Sequence, residues 1–325
     1  MTEVGDGEDL LRPLRERIIE PRNLTMRQVA NRSGLPVAEL REIYAALGIS
    51  EEELHGESAV EEAVAVRVAR GALPLPAVVR LARARRMAAS QVAAADVAAV
   101  RHELLVPLRD AGVDVPAVLV DSATRLWPMS TQLFANAHRR ALERLLSLSV
   151  AADAVREPEA GLPLAVGFVD VVGYTRFSAM VDPEGLTRTL EAFEQHVLAA
   201  ASRSRELSVP KFIGDAAMLV ATDTVLLADA LLDVVEAVPE LAETPLRAGM
   251  SAGEILPRGG DYFGPPVNLA ARLTDYARPQ TVLADEDLRT VLEPHFSVRR
   301  ISRLRLHGIG IRRPLVVRRP EAAEG

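Results

Sequence analysis

The sequence contains no cysteine, a single tryptophan, and aromatic residues at only 4% of 325 positions. Without cysteine the chain forms no disulfide, no thiolate metal site and no cysteine nucleophile. No uninterrupted apolar run approaches the roughly 18–20 residues that a membrane-spanning helix needs. The first residues, MTEVGDGEDL, are acidic and polar, unlike a secretory signal. These absences predict a cytoplasmic protein with no membrane partner.

The composition is that of a soluble globular protein, with 49% hydrophobic residues, 26% charged residues and a formal net charge of −7. A chain of this length is long enough to form two domains, each with its own core. The acidic balance argues against a protein that coats nucleic acid, so we do not expect a nucleic-acid partner.

The two halves of the chain differ in hydrophobic periodicity. Residues 1–155 repeat apolar residues every three or four positions, which predicts an all-helical domain whose last helix spans residues 131–155. The segment VREPEAG, residues 155–161, then interrupts the pattern, so we expect the domain boundary in this segment. Residues 156–325 predict an α+β domain with the order β-α-β-β-α-β plus additions, its sheet covered by helices on one face.

A carboxylate interrupts the first predicted strand of the second domain. Asp170 lies in the apolar run AVGFVDVV, where a lone charge is costly unless it is paired. Asp215 occupies the tip of a predicted hairpin, and the strand order allows the two carboxylates to converge. Because like charges repel unless cations lie between them, we predict a metal site, with two ions, at Asp170 and Asp215. The alternative is that Asp170 caps a helix and Asp215 is an ordinary turn residue.

The residues after Asp170 predict a phosphate contact. Gly173, Tyr174 and Thr175 form a tight turn into a helix, where free backbone N–H groups can bind anionic oxygens. We therefore expect these three residues to contribute to substrate binding.

Three motifs in order, FVDVVGYT, KFIGDA and DYFGPPVNLAARL, resemble the catalytic domain of class III nucleotidyl cyclases over about residues 164–318. The resemblance implies a ferredoxin-like βαββαβ fold and an adenylate cyclase that converts ATP to 3′,5′-cyclic AMP and pyrophosphate. It also implies two Mg²⁺ or Mn²⁺ ions in each active site. Six residues match the positions that carry function in this family: Asp170 and Asp215 for the metals, Lys211 and Asp261 for adenine, and Asn268 and Arg272 for the transition state.

In this family each active site forms between two catalytic domains. One domain supplies the metal aspartates, and the other supplies the adenine pair, the asparagine and the arginine. Because one chain here holds all six residues, the resemblance implies a head-to-tail homodimer with two equivalent sites. Members of the family often have a lysine near the C-terminal strand that holds the triphosphate. This chain has the string LHGIG at that place, with no lysine. Arg305, His307 and Arg312 are the candidates to replace it.

The helical half resembles the regulatory domain that precedes the catalytic domain in certain actinobacterial cyclases, some of them inhibited at neutral pH and activated by acid. The resemblance implies signal transduction through autoinhibition, with pH sensing, and it makes the helix of residues 131–155 the moving connector between the two domains. His102 and His138 are candidate protonation sensors, and the alternative for each is a surface histidine with no role.

Residues 24–50 resemble a helix-turn-helix. The second helix of this segment places Arg41 between two glutamates, which is a poor surface for DNA phosphates, so we predict an αα-hairpin. One alternative function stays open, in which the chain is a catalytically silent nucleotide-binding signalling module that acts through this segment on DNA or a partner.

Overall fold

The computed structural model describes residues 20–112, 115–151, 161–236 and 244–320. The chain forms two compact units, Met1–Arg139 and Arg140–Gly325. The expected domain boundary near residue 155 falls within residues 152–160, outside the described ranges.

The first unit is helical throughout its described part, as the periodicity predicts. Its helices are α1 Met26–Ser33, α2 Val37–Leu47, α3 Ser58–Arg70, α4 Leu75–Ala99, a π-helical turn Val100–Leu105, α5 Val106–Asp110 and the first part of α6 Val115–Ala151. A core of buried side chains from α1 to α4 includes Val29, Leu40 and Ala63. None of the helices in the described ranges combines the length and the apolar character that crossing a membrane requires.

Helices α1 and α2 form the expected αα-hairpin. The backbone N–H of Gln28 donates to Thr25 Oγ1, and the backbone N–H of Thr25 donates to Gln28 Oε1, which makes a reciprocal capping box at the start of α1. Gly34 ends α1 in the left-handed conformation, at φ 72°, where a glycine is favoured. The arginine of α2, Arg41, donates two hydrogen bonds to Glu51, at 3.0 and 2.7 Å. This guanidinium is therefore already paired.

The long helix α6 begins earlier than the expected connector. The prediction started it at residue 131, but the helix starts at Val115 and passes through Pro128 to Ala151. Pro116 lies in its first turn, where proline is well tolerated, whereas Pro128 lies in the helix interior, where it removes one N–H donor and its ring crowds the preceding turn. From Arg140 onwards α6 belongs to the second unit.

The second unit has the expected β-α-β-β-α-β order with additions. Its elements are β1 Leu162–Val171, α7 Tyr174–Ser178, α8 Pro183–Ser202, β2 Leu207–Ile213, β3 Ala216–Ala221, α9 Thr224–Glu236, β4 Leu246–Arg258, β5 Asp261–Phe263, α10 Pro265–Tyr276, β6 Thr281–Ala284, a 3₁₀ turn Glu286–Leu288, α11 Arg289–Leu292, β7 Ser297–Arg300, β8 Leu304–Leu306, β9 Gly310–Arg312 and β10 Leu315–Arg318. The α+β prediction is confirmed.

The main sheet has the strand order β2-β3-β1-β4-β6-β10-β7, with β5 paired to β4. Successive residues of a strand face opposite sides of the sheet. Val169 and Val171 pack with Phe193 of α8 and Leu231 of α9, whereas Leu164 and Val166 share a cluster with Ala270 of α10. The prediction of helices on one face alone is therefore wrong, because α10 covers part of the second face.

Gly249 explains how α10 lies so close to the sheet. A Cβ added at Gly249 would meet the backbone N of Thr274 at 2.3 Å and the carbonyl O of Ala270 at 2.6 Å. Because both atoms belong to the helix backbone, no side-chain rotation could make room. A glycine in the centre of β4 thus lets α10 pack directly on the strand.

Candidate functional site

Asp170 lies near the end of β1 and is directly opposite Arg247 in the register of β1 with β4. Its side chain is only 17% exposed. Arg247 donates from Nε and Nη2 to Asp170 Oδ2, at 2.8 and 2.6 Å, and from Nη1 to the carbonyl oxygen of Asp275, at 2.7 Å. The carboxylate that interrupts the apolar strand is therefore paired with a guanidinium.

Asp215 reaches the same place from the β2–β3 hairpin. The hairpin loop has two residues, and Gly214 takes the first position at φ 62°, as a type II′ turn requires. Asp170 is opposite Ala216 in the β1–β3 register, and the backbone N of Val171 donates to the carbonyl O of Asp215 at 3.1 Å. Burial raises the pKa of Asp215, and so does the neighbouring Asp170 carboxylate, whereas Arg247 opposes the rise.

This donor set fits a divalent cation. Two carboxylates of like charge converge, and their oxygens are the hard ligands that Mg²⁺ and Mn²⁺ prefer. Within the described ranges, no cluster contains three or more His, Asp or Glu side chains suited to a metal. Mg²⁺ typically accepts one or two carboxylates and takes its other ligands from water and substrate phosphates, so a two-carboxylate site suits it.

Lys211 and Asp261 form an ion pair on the same face of the sheet. Lys211 is opposite Met218 on β3, and Met218 is opposite Phe168 on β1, so Lys211 faces the side that Asp170 faces. Lys211 Nζ donates to the two carboxylate oxygens of Asp261, at 2.5 and 2.6 Å. Lys211 is the only lysine in the sequence. Burial opposes ionisation of Asp261, but the hydrogen bonds from Lys211 and from the Tyr262 N–H outweigh it and lower the pKa of Asp261.

Asn268 and Arg272 lie one turn apart on the exposed side of α10, whose other side packs against the sheet. Arg272 Nη1 donates to Asp275 Oδ2 at 2.9 Å. Asn268 lines a cavity of about 520 Å³ between the start of α10 and the β8–β9 turn, and Arg312 lines the same cavity. Arg305 and His307 are exposed and do not line it.

Gly173 opens the short helix α7 in the left-handed conformation, at φ 75°. A Cβ at this position would meet no atom within 4 Å, so the glycine is favoured by its backbone angle alone. Tyr174 is half-buried and Thr175 is exposed, both directly after the β1 strand that carries Asp170. Their role in phosphate binding stays a prediction.

The structure brings the predicted residues together in three groups: Asp170 with Asp215, Lys211 with Asp261, and Asn268 with Arg272. Across the described part of the chain, no direct hydrogen bond or ion pair joins one group to another. Arg247 contacts α10 at Asp275, near its C-terminal end, whereas Asn268 lies seven residues earlier, about 10 Å along the helix axis.

Arg247 is the residue that the sequence interpretation missed. It stands in the apolar strand LRAGM, just as Asp170 stands in AVGFVDVV. Two opposite charges, each isolated in an apolar strand, are a signal that the strands pair. The candidate sensors His102 and His138 are both exposed, and their role stays a prediction.

No protein-family model matches the chain. The chain is 38% identical over 148 residues to the pH-sensitive adenylate cyclase MT1302 of Mycobacterium tuberculosis, a match that covers 42% of this chain and 36% of that protein. It is 40% identical over 125 residues to an adenylate cyclase of Streptomyces coelicolor, which covers 38% of this chain and 32% of that protein. The chain thus spans about a third of the length of these curated relatives.

An adenylate cyclase of Glutamicibacter nicotianae is 28% identical over 301 residues, which cover 85% of this chain and 74% of that protein. An alignment of this extent is longer than the second unit and must include part of the first.

Among solved structures, the adenylyl cyclase CyaB from P. aeruginosa has a TM-score of 0.44 at 18% identity and covers 50% of this chain and 96% of that chain. The catalytic core of a rhodopsin-guanylyl cyclase with converted specificity, in complex with ATPalphaS, has a TM-score of 0.44 at 19% identity, with 50% and 98% covered. The sequence relatives confirm what the motifs predict: the chain resembles adenylate cyclases of the actinobacterial type.

Proposed function

We propose that the chain is an adenylate cyclase, which forms cyclic AMP and pyrophosphate from ATP at sites shared by two copies of its second unit. The observation that carries the proposal is the convergence of Asp170 and Asp215 beside Arg247. In the reaction the ribose 3′-hydroxyl loses its proton to water, its oxygen forms a bond to the α-phosphorus, the bond from that phosphorus to the bridging oxygen breaks, and pyrophosphate leaves.

Asp170 and Asp215 would hold two Mg²⁺ or Mn²⁺ ions. Bound divalent ions would acidify the ribose 3′-hydroxyl and neutralise phosphate charge. The cations would then balance the charge of Asp170 in place of Arg247, and the planar guanidinium of Arg247 could turn towards a phosphate. Arg272, which is exposed and forms an ion pair with Asp275, would offset charge that develops on the α-phosphate. Asn268 would orient the ribose.

A second copy of the chain would complete each site. No hydrogen bond or ion pair directly joins the three groups of residues within the described ranges, and Asn268 and Arg272 face outwards on α10. Large apolar side chains are also exposed on the second unit, among them Ile213 at the end of β2, Leu256 on β4 and Phe263 on β5. The contact between the two copies of such a homodimer would cover these side chains and join the metal pair of one copy to Asn268 of the other.

Lys211 and Asp261 would select adenine. A lysine donates and an aspartate accepts, which matches the ring-nitrogen acceptors and the 6-amino donor of adenine. Guanine presents an acceptor oxygen at the 6-position, which would face the Asp261 carboxylate, so GTP is disfavoured.

The first unit would regulate the second. Support comes from the Glutamicibacter adenylate cyclase, which aligns across both units, and from the mycobacterial relative that is named pH-sensitive. The DNA-binding alternative gains no support from α2, because Glu51 already holds Arg41.

Purified full-length protein is expected to form cyclic AMP from Mn²⁺-ATP and to use GTP at least about tenfold less well. The double variant Lys211→Glu, Asp261→Cys is expected to lose this preference, because the hydrogen-bonding pattern towards the 6-position is reversed. Chromatography of the products across about pH 5.5 to 8 measures both the preference and any acid activation. No cyclic product from either nucleotide, at any of these pH values, with the isolated second unit as well, would contradict the proposal.

Arg312 alone of the three candidates shares a cavity with Asn268, and it is the one positive charge in the described lining, which also includes Asp285, Glu286 and Asp287, so Arg312 is expected to replace the missing triphosphate lysine. Arg312→Ala should raise the KM for ATP about tenfold, roughly 1.4 kcal/mol of binding. Arg305→Ala and His307→Ala serve as matched controls from the same β8–β9 hairpin and should leave the KM within about twofold. A larger effect from either control would assign the contact to that residue instead.

A further inference from the structure

A second cavity, of about 530 Å³, lies within the second unit and borders the proposed adenine pair, because Asp261 is part of its lining. The last part of α6, the end of α8, strand β2 and the β4–β5 hairpin form its walls. Its volume is within the range of small-molecule sites.

Three arginines line this cavity from two sides: Arg140 and Arg144 from α6, and Arg258 from the end of β4. Arg140 and Arg144 are four residues apart, so they project from the same side of the helix. Among the described residues, no carboxylate forms an ion pair with any of the three. The one carboxylate in the described lining, Asp261, is already held by Lys211. In a chain of net charge −7, this arginine cavity concentrates positive charge that no carboxylate among the described residues pairs with.

The charges repel one another across the cavity unless an anion lies between them. Guanidinium groups present planar pairs of N–H donors that match phosphate oxygens. The rest of the lining is largely apolar and includes Ala141, Leu198 and the ring of Tyr262. An inorganic ion would satisfy the arginines but would leave this apolar wall unfilled.

We propose that the arginine cavity binds a small organic phosphate: a phosphate monoester whose charge lies between the arginines and whose flat, apolar body packs beside Tyr262. Such a ligand would tie α6 to the hairpin that carries Asp261. It would therefore bias the position of the Lys211–Asp261 pair and change the KM for ATP, a consequence that rests on the proposed function.

Phenyl phosphate is the probe, titrated calorimetrically into the full-length protein without nucleotide or divalent cation. The double variant Arg144→Gln, Arg258→Gln should bind it at least about tenfold more weakly than the wild type, since two charge-assisted contacts are lost. Arg205→Gln is the matched control, because Arg205 is 88% exposed, lies near Glu143 and does not line the cavity. Circular dichroism confirms that each variant is folded.

Equal affinity of the double variant and the wild type would place the phosphate elsewhere and overturn the proposal. If inorganic phosphate binds as tightly as phenyl phosphate, the cavity does not require an organic group on the phosphate, and that part of the proposal is wrong. Binding by the Asp170→Asn variant should match the wild type, so the cavity is tested even where no cyclic AMP forms. In active protein, a KM for ATP that phenyl phosphate leaves unchanged would overturn the coupling to Asp261.

Discussion

The variant Asp170→Asn is expected to form cyclic AMP at least on the order of a thousandfold more slowly than the wild type. Asparagine keeps the size and one acceptor oxygen of aspartate but removes the charge that would bind a cation. Arg247 would still find an acceptor at this position, so β1 and β4 should stay paired. The loss should therefore appear in kcat with the fold intact, as measured by product formation and by thermal unfolding followed by circular dichroism.

Asp182→Asn is the matched control for this result. Asp182 caps α8 by accepting from the Gly185 N–H at 2.7 Å, and asparagine caps a helix equally well. The same chemical change should therefore leave the rate within about twofold of the wild type. Comparable rates for Asp170→Asn and the wild type would show that the carboxylate holds no essential cation and would favour Asp170 as a structural partner of Arg247.

Much of the fold could be predicted because local patterns specify it. The Asp182-Pro183 start of α8, the Gly214-Asp215 turn and the alternation of the flanking strands each depend on neighbouring residues only. The order of the elements then follows from the order of these patterns along the chain. The candidate site residues could be named for a different reason, the resemblance of three motifs to a known family.

The ion pair between Asp170 and Arg247 could not be predicted in this way. The two residues are far apart in sequence, and only the register of β1 with β4 places them opposite each other. The position of α10 on the second face of the sheet is equally non-local. It depends on Gly249, whose missing side chain matters only once the helix lies against it.

The burial of individual histidines could not be predicted from local patterns either. Of the six histidines, His55 alone is buried, at 6% exposure, and burial lowers its pKa. Its ring lies 4.9 Å from that of Tyr44 in the core of the first unit. The candidate sensors His102 and His138 are both exposed, and their role stays a prediction. Which histidine is shielded from water depends on packing between helices, and single-helix periodicity does not report it.

Mixed dimers give the most direct test of a shared active site. A chain with Asp170→Asn and a chain with Asn268→Ala are expected to be nearly inactive when each is expressed alone. Co-expressed with two different tags and purified through both, they should regain about half the wild-type rate per dimer. The reason is geometric: one of the two sites would combine the intact metal pair of one chain with the intact Asn268 of the other.

A matched pair of variants from the same half of the site supplies the control. Mixed dimers of Asp170→Asn with Asp215→Asn should stay inactive, because each site would take its metal pair from a damaged chain. If both mixtures are equally silent, all the groups must act within one chain, and the shared site is wrong. If both mixtures regain activity, the recovery does not come from combining intact halves of the site from two chains. Recovery in the first mixture alone requires that Asp170 and Asn268 meet across two copies, which is what their separation within one chain leads us to expect.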